Sequence, residues 1–167
     1  MADDPALAVV TEPIFRYRVV VVTAGHSGLR GNPRQWRWLV DPSGTDPGTG
    51  TGQLLDKLGI PEDMIRVFPN QTAAWAAAAD GGGAAPAVEH LVAQQLRRGE
   101  LSLVEVPAPP VSGCWHATLL ERQHRSAAAS ALRRFLGTPE AMHLMRSPAE
   151  GVPPSRFRPP VYVTIWS

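Results

Sequence analysis

The sequence predicts an α/β fold, and three observations predict it. Val19 to Val22 is a continuous β-branched run inside FRYRVVVVT, the pattern of a strand buried on both faces. Downstream, short apolar runs alternate with helical patterns of about ten residues, the order of α/β units joined by right-handed crossovers. The 17 Pro and 15 Gly place turn formers along the whole chain and argue against a coiled coil or a long helical bundle.

Each element has a local reason. Ala6 to Val10 is a short apolar segment, which Thr11-Glu12-Pro13 is expected to break. Phe15 to Thr23 is the first strand. Ala24 to Pro33, with three glycines, reads as a loop. Arg34 to Val40 is a second strand candidate and leads into the turn formers Asp41 to Gly48. A helix follows, capped by Thr49 or Thr51. Its apolar face is Leu54, Leu55 and Leu58, and it stops at Gly59 before Pro61. Met64 to Phe68 is the third strand. Asn70 or Thr72 caps a helix over Ala73 to Ala79, which ends at Asp80 and Gly81-Gly82-Gly83. Ala84 to Ala87 is a very short buried strand. Val88 to Arg98 has helical spacing and ends at Gly99.

Leu101 to Val106 alternates as a half-buried strand does. Pro107 to Pro110 is a stiff turn, and Gly113 to Leu120 is another strand. Ser126 to Leu136 is a helix, and Thr138 caps a last one from Pro139 to Met145. Val161 to Trp166 is a final strand candidate.

Composition excludes several classes. Apolar residues make up 44% and charged residues 19%, so the chain is globular. A length of 167 residues suits one domain or two small lobes. The net charge of +1 is too small for a surface that coats nucleic acid, and no patch collects the arginines. The single cysteine, Cys114, cannot form an internal disulfide. The acidic start, Met1-Ala2-Asp3-Asp4-Pro5, is unlike a signal peptide. No apolar run approaches the about 20 residues a spanning helix needs. A cytoplasmic location and no membrane partner are therefore expected.

In open α/β sheets ligands lie beyond the carboxyl ends of strands, where loops feed helix N-termini. Two such junctions are rich in polar groups: Ser43-Gly44-Thr45-Asp46-Pro47-Gly48-Thr49, and Asn70-Gln71-Thr72. Free backbone N–H groups beside hydroxyls can hold a carboxylate or another anion there. Plain helix capping accounts for the same residues. Nucleotide motifs fail, because Gly48-Thr49-Gly50-Thr51-Gly52 lacks the Gly-Lys-Ser/Thr ending of a phosphate loop and Gly81-Gly82-Gly83 precedes a strand. His26, His90, His116, His124 and His143 are dispersed, and no metal or other cofactor is expected. Cys114 and His116 share a strand face, but no third group orients them. Trp36, Trp38 and Trp75 read as core, although Trp75 sits near enough to Thr72 to wall a pocket.

Several stretches together resemble the effector-binding part of LysR-type transcriptional regulators, from about Phe15 to Trp166. FRYRVVVVTAGHSGL is similar to that family's strand and "His-Pro-Leu" loop, with Ser27 in place of the proline. RWLVDPSGTDPGTGTGQLLDKLGIPEDMIRVFPNQTAAWAAAADGGGAAPAVEHLVAQQLRRGELSLVEV resembles its second lobe. Within that stretch, Ala79 to Pro86 resembles the family's glycine-rich turn before a short strand. GCWHATLLERQHRSAAASALRRFL resembles the closing strand, loop and helix. The resemblance implies a periplasmic-binding-protein-like (type 2) fold, here one complete lobe plus part of the other. The expected division is 1–33 as partial first lobe and crossover strand, 34–120 as second lobe, and 121–167 as a return helix and tail packing toward the first lobe.

The same resemblance implies an effector domain without catalysis. It would bind a small metabolite between two α/β lobes and act on transcription through a helix-turn-helix absent from this chain. The expected effector-binding residues are Ser43, Thr45, Asp46, Pro47, Gly48, Thr49, Asn70, Gln71 and Thr72. The expected partners are a small, carboxylate-bearing effector and further copies of the chain. With the first strand and helix of the first lobe absent, an exposed apolar sheet edge is expected unless a partner covers it. The alternatives are a solute-binding protein of the same fold and a small α/β enzyme using Cys114 and His116.

Overall fold

The computed structural model describes residues 8–146. The order along the chain is β1 (Val9–Ala24), β2 (Trp38–Val40), α1 (Gly50–Leu58), β3 (Ile65–Val67), α2 (Gln71–Ala79), β4 (Ala85–Val88), α3 (Ala93–Arg97), β5 (Leu101–Val104), β6 (Val111–Leu120), α4 (Ala127–Leu136) and α5 (Pro139–Arg146). The strand expected at Val161 to Trp166 lies outside the described residues.

β1 organises the molecule. Its carboxyl-terminal half pairs antiparallel with β4 over Val19–Val22 on one side. On its other side it pairs with β5 over Val21–Ala24 and with β6 over Val9–Val19. β2 and β3 are parallel, with Val40 opposite Val67. A bridge from Trp38 to Ala84 joins this pair to β4. The β2–β3–β4 half of the sheet therefore runs one way and β1 runs back through it.

Side-chain alternation divides the core between two faces. Trp38 and Val40 pack with Trp36, Leu54, Leu55, Leu58 and Val21, so α1 covers one face. Leu39 and Val22 pack with Ala74, Trp75, Ala78, Val92 and Leu101, so α2 and the α3 region cover the other. Both faces of β2 and of the carboxyl-terminal end of β1 are thus covered, the reason Val19–Val22 and Trp38–Val40 are continuously apolar. The three buried indoles are satisfied: Trp38 Nε1–H donates to Pro33 O at 2.8 Å, Trp75 Nε1–H to Pro86 O at 3.0 Å and Trp36 Nε1–H to Arg30 O at 3.1 Å. Trp36 stacks on Trp38 with ring centroids 6.1 Å apart. All three tryptophans serve the core.

Four elements depart from the sequence reading. β1 continues back through Pro13 to Val9, because the ladder to β6 shifts register between Pro13 and Phe15 and so tolerates a residue without an N–H. Arg34 to Gln35 is a 3-10 turn (Pro33–Gln35) capped by Asn32, which leaves only Trp38–Val40 as strand. Val88 to Arg98 is no single helix. Val88 pairs with Val19, a 3-10 turn follows over Glu89–Leu91, and only Ala93–Arg97 is helical. The Leu101 strand stops at Val104.

The amino-terminal half of β1 pairs with β6 and meets α4 through Glu12 and Arg133. Helix α4 has no buried residue. Val9, Val10, Trp115, Leu132, Phe135 and Leu144 are all exposed on these elements and on α5.

Candidate functional site

The carboxyl ends of β2 and β3 lie side by side, since Phe68 N–H donates to Val40 O at 2.7 Å just beyond the paired residues. Both candidate junctions leave from this end. Pro42–Thr45 forms a 3-10 turn and leads into α1. Phe68-Pro69 leads directly into α2. The helices then diverge to opposite faces of the sheet.

Thr49 is the N-cap of α1: its Oγ1 accepts the Gly52 N–H at 3.0 Å. The same hydroxyl lies 2.6 Å from Ser43 O and 2.9 Å from Asp46 O and so ties the preceding loop to the helix start. Ser43 Oγ donates to Asp41 Oδ1 at 2.6 Å, and Thr45 Oγ1 donates to Pro42 O at 2.8 Å. Asp46 Oδ1 accepts the Gly48 N–H at 2.7 Å. Asn70 Oδ1 caps α2 by accepting the Ala73 N–H at 2.9 Å. Most polar side chains of the two junctions are therefore engaged within the chain. The remaining donors are the side chains of Gln71 and Thr72 and the main-chain N–H groups of the first helical turns, where the helix dipole favours an anion.

Gly52 sits in the first turn of α1 because a Cβ there would overlap the backbone carbonyl of Asp46. Gly59 ends the same helix in the left-handed region at φ 62°, with its N–H on Asp56 O and Leu55 O. Gly50 lies against the strand crossing: a Cβ would come within 3.3 Å of a Val19 methyl and 3.5 Å of a Val111 methyl. The N-terminus of α1 thus faces the place where β1 and β6 pair at Val19 and Val111. Gly50, Val19 and Val111 were not among the residues expected from sequence. The Gly48–Gly52 alternation of Gly and Thr is the local signal that could have pointed to them.

The structure brings the expected residues together only in part. Thr45 and Pro47 line a groove of about 520 Å³ with Leu55, Asp56, Ile65 and Val67. Asn70, Gln71 and Thr72 do not line that groove. Ser43 and Thr49 are half-buried, while Asp46, Gly48, Asn70 and Thr72 are exposed.

At the waist, Phe15 meets His90 edge-on, 5.0 Å between ring centroids. Burial holds the His90 imidazole below its ordinary range, and the neighbouring Glu89 opposes that shift. Cys114 Sγ lies 3.4 Å from Trp115 O, and no hydrogen bond joins it to His116 among the described residues. No group of three or more metal-ligating side chains occurs among the described residues, and none of their helices is long and apolar enough to cross a membrane.

Residues 3–138 match the family described as LysR substrate binding domain. The chain belongs to that family. An uncharacterized HTH-type transcriptional regulator of Mycobacterium tuberculosis is 33% identical over 166 residues, covering 96% of this chain and 51% of that protein. The HTH-type transcriptional regulator CfxR of Cupriavidus necator is 29% identical over 96 residues. This LysR domain spans about half the length of the M. tuberculosis relative. Among solved structures, the regulatory domain of Synechocystis PCC6803 CcmR in complex with 2-PG aligns with TM-score 0.62 and 16% identity, over 81% of this chain and 69% of that one. The effector domain of Pseudomonas aeruginosa AmpR aligns with TM-score 0.60 and 18% identity, over 83% and 68%. These likenesses show the periplasmic-binding-protein-like type 2 fold, and the family makes the chain a LysR-type effector-binding regulatory domain.

Proposed function

We propose that the chain senses a small anionic metabolite for a LysR-type regulator and passes its occupancy to a DNA-binding helix-turn-helix beyond these residues. The observation that carries this reading is the pair of capped helix starts at the carboxyl ends of β2 and β3, with α1 aimed at the β1–β6 crossing. The effector lies between the lobe bearing Ser43–Thr49 and Asn70–Thr72 and the opposing first lobe. It carries a carboxylate or phosphate that takes hydrogen bonds from the first-turn N–H groups. Thr45, Asp46, Pro47 and Gly48 shape the mouth, Ser43 and Thr49 fix the loop, and Gln71 and Thr72 offer side chains to the ligand.

The family is one of regulators, and the role proposed is regulatory and not catalytic, in a cytoplasmic homo-oligomer. Binding acts by differential affinity for two lobe or subunit arrangements. The complex of the CcmR regulatory domain with 2-PG supports a small ligand for a domain of this fold. A thermal-shift panel of phosphorylated and carboxylic metabolites tests it. A ligand at about 100 times its dissociation constant adds about 2.7 kcal/mol. That raises Tm by roughly 5–10 °C for a domain of this size. No shift across the panel, on a protein with a cooperative melt, overturns the reading.

A further inference from the structure

Away from the two helix starts, four arginines surround one cavity of about 560 Å³ between β1, α4 and the turn after β6: Arg122, Arg125, Arg133 and Arg134. Ser130 adds a hydroxyl, and the single acid on the lining is Glu12. Two of the guanidiniums are fixed. Arg133 meets Glu12 through two hydrogen bonds, Nε to Oε2 at 2.7 Å and Nη2 to Oε1 at 2.9 Å. Arg125 holds Leu120 O with Nε at 3.1 Å and Nη2 at 3.0 Å. Arg122 and Arg134 make no side-chain hydrogen bond or ion pair among the described residues.

The charge balance decides what fits. One carboxylate is spent on one guanidinium, and three more cations face the same space. Like charges this close repel unless an anion joins them. The field also shows at Glu12, whose carboxyl is held below its ordinary range, first by the Arg133 hydrogen bond and then by the charges of Arg133 and Arg125. Guanidiniums arriving from a helix on one side and a turn on the other present donors in several planes. A phosphoryl group, with three acceptor oxygens and nearly two charges, satisfies such a set better than a planar carboxylate does.

We propose that this arginine pocket binds the phosphoryl group of a small phosphorylated metabolite, at a site separate from the cleft between the lobes. Arg125 and Arg133 are preorganised by Leu120 O and Glu12. Arg122 and Arg134 close on the ligand, and Ser130 donates its hydroxyl. The cleft reading does not depend on this site.

Calorimetric titration of the 167-residue chain with inorganic phosphate at constant ionic strength tests the proposal, with acetate and a short DNA duplex as parallel arms. Arg122→Gln and Arg134→Gln each weaken phosphate binding by about tenfold, while Arg134→Lys retains most of it. Glu12→Gln strengthens binding several-fold, because it removes the one carboxylate on the described lining while the amide oxygen can still accept from Arg133. A purely structural role for the Glu12–Arg133 pair predicts no such gain. Far-UV circular dichroism verifies that each variant is folded. The proposal is overturned by absence of phosphate binding to the folded wild-type chain, by equal affinity for acetate, by binding of the duplex alone, or by unchanged affinity in both glutamine variants.

Discussion

Replacing Thr49 by Ala tests how the loop before α1 is held. The hydroxyl accepts the Gly52 N–H and reaches back to Ser43 O and Asp46 O, so one atom caps the helix and fastens the turn. Loss of an N-cap oxygen costs about 1 kcal/mol. Loss of the donor to a half-buried carbonyl adds about 1 kcal/mol, less where water reaches it. The expected destabilisation of Thr49→Ala is therefore about 2 kcal/mol, or a fall in Tm of roughly 4–8 °C. Thr49→Ser keeps the oxygen and recovers most of that stability, whereas Thr49→Val keeps the shape and recovers little. Urea unfolding of the three variants measures the differences directly. A Thr49→Ala chain within about 0.5 kcal/mol of wild type would refute the reasoning.

Three further outcomes follow from the same packing. Trp38→Phe removes one of the two donors to Pro33 O and leaves a void in a fully buried position, while the Trp36 N–H still holds that carbonyl, so urea unfolding should show a loss of about 1–3 kcal/mol. Gly52→Ala drives a methyl into the Asp46 carbonyl, so it should shift the amide resonances of Asp46 to Thr51 and lower Tm, although alanine is the better helix former. His90 has a folded-state pKa below its ordinary 6.5, so the unfolded chain takes up the proton first. Stability should be level above pH 6.5 and fall as pH drops from there through the lower folded value, and His90→Phe should flatten that slope in denaturation series between pH 7 and 5.

The sequence is most legible where one residue type has one physical use. Val19 to Val22 could only be a strand covered on both faces, and β1 is covered by both core clusters. Asn70, Thr49 and Gly59 sit at helix boundaries because their side chains, or the lack of one, solve a backbone problem there. The reading misses where a tertiary pairing overrides local spacing. Val88 has helical neighbours in sequence but pairs with Val19 sixty-nine positions earlier, and the helix is cut short. Pro13 looks like a breaker, yet the register shift beside it lets β1 run on.

For the candidate site, the capping residues were visible and the uses of their side chains were not. Hydrogen bonds from Ser43 to Asp41 and from Thr45 to Pro42 depend on the turn's actual path. The arginine pocket was hidden for a simpler reason: Glu12 and Arg133 are 121 positions apart, and no local pattern links them.

Amide-resolved NMR titration of the 167-residue chain with 2-PG, the compound bound in the CcmR structure, bears most directly on the sensor reading. Saturable shifts at Thr45 to Thr51 and at Gln71 to Ala73 are the predicted result, with any response at Arg122, Arg125 and Arg134 saturating separately. Saturable shifts that leave both helix starts unmoved, or that appear only along the Leu55–Ile65 groove, would contradict it.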